Sequence, residues 1–324
     1  MYVWQEEAFN SLVKARQSQR LPHALLLTSK AGYGADTWLH EASQWVLCAA
    51  PTAKGACHSC RSCQLFVAQN HPDYYWIETA EDKKQISISQ IRELSSNLTE
   101  TAAVSTWRLA VIFQAEKMTI AGYNALLKTL EEPGDDVLLM LYTAERNSLP
   151  ATIISRCQHL HLDNDDVNVS RQWLTQECPE ASPDELNLAL ALTHNAPLAA
   201  KAMLEAGEIE AYKQAIQVLV DVGLSKRPFW EAQHSGIDDQ SFLQSWEFLC
   251  SQVIKLRQNA PVSVPALQNL IGSLAELANV QLLFKLRDEI LFQLKQLKEG
   301  VSLNLNMQTD ALAKQWQQAF QIRR

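Results

Sequence analysis

The segment Leu25-Leu26-Leu27-Thr28-Ser29-Lys30-Ala31-Gly32-Tyr33-Gly34-Ala35-Asp36 has the outline of a phosphate-binding loop without its chemistry. An apolar strand runs into a turn with two glycines and then into a helix, the backbone plan of the G-x-x-x-x-G-K-[ST] motif. Ser29 stands where the first glycine belongs, Ala35 replaces the lysine, and Asp36 replaces the hydroxyl that holds Mg²⁺. A lysine there neutralises the β- and γ-phosphates, whereas a carboxylate at the same helix N-terminus repels them. The segment predicts a strand-turn-helix unit with no ATP hydrolysis. Taken alone, a Gly-x-Gly turn is equally read as only a turn.

The surrounding pattern places that unit in a larger plan. From Leu21 to Leu162 short apolar runs alternate with helical stripes, the signature of a parallel sheet with crossover helices. The expected strands are Ala24 to Thr28, Tyr74 to Glu78, Leu109 to Phe113, Leu138 to Tyr142 and Gln158 to Leu162. The expected helices run from Asp36 to about Cys48, from Ser87 to about Leu98 with Ile88, Ile91, Leu94 and Leu98 on one face, and from Thr119 to Glu131 with Ile120, Tyr123, Leu127 and Leu130 as its stripe. After about Asp163 the strand signals vanish. Ser182-Pro183-Asp184-Glu185 is a capping box with proline at the first helical position, so a helix is expected from Pro183 to about Thr193, and another from Pro197 to Ala206. Further helices follow over Asp239 to Gln258, Val264 to Asn279, Gln281 to Lys298 and Asn306 to Ile322, amphipathic enough for a free-standing bundle or a packing collar. The fold class is α/β followed by all-α.

Four of the seven cysteines fall together as Cys48-x8-Cys57-x2-Cys60-x2-Cys63. Four thiolates close a tetrahedral shell around Zn²⁺ and leave no position for water, so such a site is structural. Unrelated reduced thiols, a redox pair, or His58 in place of one cysteine are the competing readings. The cluster follows the first of these helices directly, as an insertion that a metal orders in place of a core of its own.

With 324 residues the chain is long enough for two or three domains. Its apolar runs are too short to span a membrane, and Met1-Tyr2-Val3-Trp4-Gln5-Glu6 lacks the basic start of a secretory signal, so a cytoplasmic protein is expected. A net charge of −8 argues against a broad basic surface that grips nucleic acid by itself.

The strand over Leu109 to Phe113 runs into Gln114-Ala115-Glu116. A Walker-type ATPase carries adjacent carboxylates where Phe113 and Gln114 stand, and Glu116, two residues on, reads as a solvated loop glutamate. Further on come Asn124-Ala125-Leu126-Leu127-Lys128-Thr129-Leu130-Glu131-Glu132-Pro133 and Leu149-Pro150-Ala151-Thr152-Ile153-Ile154-Ser155-Arg156-Cys157. With the four cysteines and His71-Pro72-Asp73, these motifs resemble the bacterial clamp-loader subunits of DNA polymerase III, in the AAA+ superfamily. The degenerate loop aligns the chain with an ATPase-inactive member. The resemblance is specific over residues 20 to 163 and rests on length and helical character beyond.

The resemblance implies a P-loop-like α/β domain at 1–163 with the zinc module at about 48–63, a helical lid domain at 164–207 and a helical collar domain at 208–324. It also implies that Arg156, supported by Ser155 and Cys157, is an arginine finger for ATP on a neighbouring subunit. Without it, Arg156 reads as a helix-end arginine. Leu198 stands where the family's lid carries a sensor arginine, and Thr143 matches a polar sensor position. The implied role is a non-hydrolysing stator that helps load the sliding clamp onto primed DNA. The implied partners are the gamma/tau motor subunits and the delta subunit, with clamp and primer-template DNA met mainly through the complex. The implied cofactor is structural zinc, with no ATP. Two alternatives stand beside it. One is an active AAA+ ATPase in which Lys30 replaces the missing lysine. The other is a zinc-dependent DNA-binding module, for which Lys54, Arg61 and Phe66 are sparse equipment.

Overall fold

Among the residues described by the computed structural model, which are 1–81, 83–163, 166–228, 238–298 and 305–320, five parallel strands form one sheet. They are β1 (Ala24–Thr28), β2 (Tyr74–Ile77), β3 (Arg108–Ile112), β4 (Val137–Thr143) and β5 (Gln158–His161), in the order β2-β3-β4-β1-β5. The inner strands β1, β3 and β4 are buried at every residue, which is why they read as unbroken apolar runs. The edge strands β2 and β5 are partly exposed and each ends one residue before the sequence pattern suggested.

The two faces of the sheet carry separate apolar cores. Helices α1 (Glu6–Gln17) and α2 (Ala35–Leu47) cover one face, where Phe9, Leu12, Trp38, Leu39 and Trp45 meet Leu25, Leu27, Val111 and Met140. Helix α3 (Arg61–Val67) lies within the cysteine segment between α2 and β2. Helices α4 (Ile88–Leu98) and α5 (Ile120–Glu131) cover the other face, where Ile91, Leu94, Leu126 and Leu130 meet Leu26, Ile112, Leu139 and Leu141. Each such side chain contributes about 2 kcal/mol by leaving water. Both helices start on a side-chain cap. Ser87 and Gln90 form a capping box, and the Thr119 hydroxyl accepts the Gly122 N–H at 3.1 Å. The buried stripe of α5 differs from the expected one. Ile120 is 81% exposed and Leu126, rather than Leu127, is the fully buried leucine. Both stripes satisfy a three-and-four spacing, so periodicity alone does not choose between them. The short helix α6 (Ala151–Ile154) precedes β5.

The chain divides into two units, Met1–Val169 and Ser170–Arg324, with α7 (Val167–Glu177) running through the division. The second unit holds α8 (Pro183–Leu192), α9 (Pro197–Glu205), α10 (Ile209–Gly223), α11 (Asp239–Arg257), α12 (Gln268–Leu277), α13 (Val280–Lys298) and α14 (Leu305–Ala319). One apolar cluster extends from Leu174 to Phe320, with Trp246 and Trp316 edge to face at 6.0 Å. The expected start of α12 is a single 3₁₀ turn, Pro265–Leu267, and the α-helix itself begins at Gln268. The expected run of the last helix to Ile322 falls outside the described residues. Among the described residues no helix is long and apolar enough to cross a membrane.

Candidate functional site

The loop over Ser29 to Gly34 sits at the C-terminal end of β1. Gly32 and Gly34 take left-handed backbone, φ 86° and 75°, and Gly34 caps α2 so that Ala35 and Asp36 open the helix. A Cβ on Gly34 would lie 2.6 Å from the Tyr2 ring, so only glycine fits beneath residues 2–5. Gln5 Nε2 donates to the carbonyls of Tyr33 (2.9 Å) and Gly34 (2.7 Å), and Trp4 Nε1 donates to Tyr33 (2.9 Å). The sequence motifs did not reveal this contact, because it joins residues almost thirty positions apart.

The loop's surroundings are acidic. Tyr142 donates its hydroxyl to the Ser29 carbonyl at 3.2 Å, and burial, with Glu116, Asp163 and Asp36 nearby, pushes that phenol up to about 12. Asp163 also accepts the Lys30 backbone N–H at 2.8 Å, while Lys30 itself is exposed and precedes α2 by the whole turn. Where a Walker site has its carboxylates, Phe113 stacks between Trp76 (5.3 Å) and Tyr142 (5.0 Å), and Gln114 turns the chain at φ 57°. Glu116 is not the solvated glutamate expected. It is half-buried, and its Oε2 is enclosed with no hydrogen-bond partner among the described residues. Thr143 is buried, and its hydroxyl accepts the Glu145 N–H at 3.0 Å. Leu198 lies in the first turn of α9, in the second unit.

Arg156 lies between α6 and β5. Its Nη2 meets Glu131 Oε1 at 2.8 Å, and its Nη1 donates to the Thr152 carbonyl (3.0 Å) and to Ser155 Oγ (3.4 Å). The guanidinium side chain is 36% exposed and Glu131 is 52% exposed, so the pair is held weakly. Cys157 is buried, and burial pushes its thiol up to about 11, which makes it a packing residue.

The sulfurs of Cys48, Cys57, Cys60 and Cys63 all lie within 4.8 Å of one another. Cys48 and Cys60 are 4.0 Å apart, as are Cys57 and Cys63. Tetrahedral Zn²⁺ with Zn–S near 2.3 Å requires edges of about 3.8 Å, so the set fits the ion. Backbone N–H groups point at the sulfurs as they do at thiolates: Ala50 and Cys57 at Cys48, Cys60 at Cys57, and Cys63 at Cys60, all at 3.3 to 3.4 Å. The N–H groups of Ser59 and Cys60 pull the Cys57 thiol down to about 5, while burial pushes Cys48 and Cys63 up. A divalent cation bound there would supply the charge that lets all four ionise. The cysteines are unpaired thiols, and His58, exposed at φ 56°, stands outside the set.

Comparison with known proteins shows the family. A family model described as DNA polymerase III, delta subunit matches residues 4–166, about half of the chain. Over 217 residues the chain is 33% identical to DNA polymerase III subunit delta' of Pseudomonas aeruginosa, covering 67% of this chain and 65% of that protein. Over 218 residues it is 34% identical to the subunit of the same name from Escherichia coli K12, with the same coverage. The matches thus span just under two thirds of the length of these relatives. A solved gamma subunit-related protein of DNA polymerase III from Thermotoga maritima aligns over 98% of this chain and 100% of its own, at 14% identity and a TM-score of 0.41, too loose a likeness to add to the fold described above. The chain belongs to the DNA polymerase III subunit delta' family.

Proposed function

We propose that this chain is a non-hydrolysing stator of the DNA polymerase III clamp loader, lending Arg156 to ATP bound by an adjacent subunit. The observation that carries the reading is the separation of the two sites. Gln158 pairs with Leu25, near the start of β1, whereas the vestigial loop follows Thr28 at its end. Arg156 therefore lies at the far end of the strand from the chain's own loop. A guanidinium is permanently charged and grips phosphate oxygens through two parallel hydrogen bonds. Supplied in trans, it stabilises charge on the transferring phosphoryl group and makes hydrolysis depend on assembly. The acidic loop, with Ala35 where a phosphate-binding lysine belongs, supports a subunit that owns no ATP site, and the position of Lys30 disfavours the alternative of an active ATPase.

In this reading residues 164–207 act as lid and 208–324 as collar, joining gamma/tau motor and delta subunits in a cytoplasmic assembly of the holoenzyme. Clamp and primed DNA are met through that assembly. Zn²⁺ held by Cys48, Cys57, Cys60 and Cys63 is structural. Lys54 and Arg61, both exposed, are too few to make the module a DNA grip. Reconstitution tests the role: motor and delta subunits, with and without this chain, are assayed for loading of the clamp onto primed DNA. Loading that depends on this chain supports the stator, and equal loading without it removes the role.

A further inference from the structure

The His71-Pro72-Asp73 motif has no part in the functions above, yet its side chains are among the most enclosed polar groups of the first unit. Ser62, His71 and Asp73 are all buried. Their hydrogen bonds form a closed ring. The Leu47 carbonyl, at the end of α2, accepts the hydroxyls of Ser62 (2.7 Å) and Ser105 (3.2 Å). Because Ser62 has given its proton to Leu47, its oxygen accepts from His71 Nε2 at 2.9 Å. The other ring nitrogen, His71 Nδ1, accepts the Asp73 N–H at 3.1 Å, which fixes the proton on Nε2. The Asp73 carboxylate accepts the N–H groups of Ala103 (2.7 Å), Val104 (2.8 Å) and Ser105 (2.8 Å), and Ser105 returns to Leu47.

The ring touches the cysteine module at two points, since Leu47 precedes Cys48 and Ser62 precedes Cys63. We infer that this ring couples metal binding by the four cysteines to the 103–105 loop, with His71 as the positioning residue. The inference rests on the zinc reading proposed above. His71 is the one link between Ser62 and Asp73, and all three are buried, so truncating it leaves a polar group of the ring without its partner. A freed Ser62 lets the turn carrying Cys60 and Cys63 move, and a metal shell that loses its outer supports typically weakens by about 10- to 100-fold. In the other direction, loss of the ion loosens Leu47 and Ser62, and with them the fastening of residues 103–105.

The test uses the full chain loaded with one zinc, following metal release to a chromogenic chelator and amide hydrogen exchange at 103–105. His71→Asn keeps an acceptor for the Asp73 N–H but is too short to reach Ser62, whereas His71→Gln places an amide N–H near the Nε2 position. We expect zinc release at least about tenfold faster in His71→Asn and Ser62→Ala, with His71→Gln close to the native chain. Chelation of the native chain is expected to raise exchange at Ala103, Val104 and Ser105. Release at the native rate in both weakened variants overturns the coupling. So does exchange at 103–105 that ignores chelation, a measurement that needs no variant. A native chain that takes up no zinc at all overturns the metal reading instead, and its metal content shows this at the outset.

Discussion

Gln158 stands in register with Leu25 across the β5–β1 ladder, and this places Arg156 at the end of β1 remote from the Ser29–Gly34 turn. From Gln158 to His161, the partner of Thr28, β5 advances roughly 10 Å at strand spacing, and Arg156 lies in the turn before it. Arg156 and the chain's own loop thus lie at opposite ends of the β5–β1 ladder. What holds it is slight, an exposed ion pair with Glu131 and a bond to the Thr152 carbonyl. Arg156→Ala is therefore expected to change unfolding stability by under about 1 kcal/mol, checked by urea denaturation. A loss of several kcal/mol would recast Arg156 as a structural strut.

Restoring the missing residues of the loop should not restore a nucleotide site. The double variant Ala35→Lys with Asp36→Thr returns the charge and the hydroxyl, but Phe113 and Gln114 still offer nothing to Mg²⁺, and Glu116 and Asp163 remain beside Tyr142. Titration with a fluorescent ATP analogue is expected to give no saturable binding below about 1 mM (some −4 kcal/mol) in either the native chain or the variant, with no hydrolysis. Micromolar binding by the native chain would contradict the account of the loop.

The capping box of α8 makes the second unit sensitive to acid. Glu185 accepts the Ser182 N–H (3.0 Å) and hydroxyl (2.8 Å) and pairs with Lys213 (3.1 Å), which together hold its carboxyl down at about 2, against an ordinary value of 4.5. A depressed carboxyl gives stability that is complete above the unfolded value and lost as pH falls through the folded one. Glu185→Gln is expected to cost about 1 kcal/mol at pH 7, allowing for solvent screening of this partly exposed group. Denaturation of the two proteins across pH should show the gap closing between pH 4.5 and 2. A gap independent of pH would assign the loss to packing.

Gly223 tests the packing of the helical unit. A Cβ there would lie 2.7 Å from Leu274 and 3.1 Å from Trp316 Nε1, which itself donates to the Leu219 carbonyl at 3.0 Å. Although alanine favours helix, Gly223→Ala is expected to lower stability by about 1 to 3 kcal/mol through overpacking. A rise in the unfolding temperature would show that α10 and α14 have room to part.

The strands were legible because buried parallel strands are apolar at every position, as in β3 and β4, and the cysteine set because its spacing has few other uses. Helix α8 was legible from its cap, Ser182 to Glu185. The face of α5 was not, since adjacent stripes satisfy one periodicity and only the sheet beneath chooses Leu126. Helix α1 had a readable stripe in Ala8, Phe9, Leu12 and Val13, a signal present but unused. The contacts of Gln5 with Tyr33 and Gly34, and of Ser105 with Leu47, join distant residues of ordinary type, and only folding brings them together.

Action of Arg156 in trans is read out by DNA- and clamp-stimulated ATPase activity of a reconstituted loader containing motor and delta subunits. Native chain, Arg156→Ala and omission of the chain are compared. Arg156→Ala is expected to assemble normally yet lose a large share of stimulated hydrolysis, by a factor on the order of 10³ at the one ATP site it faces. A variant that matches the native chain in both hydrolysis and clamp loading would contradict it and leave Arg156 as a surface arginine paired with Glu131.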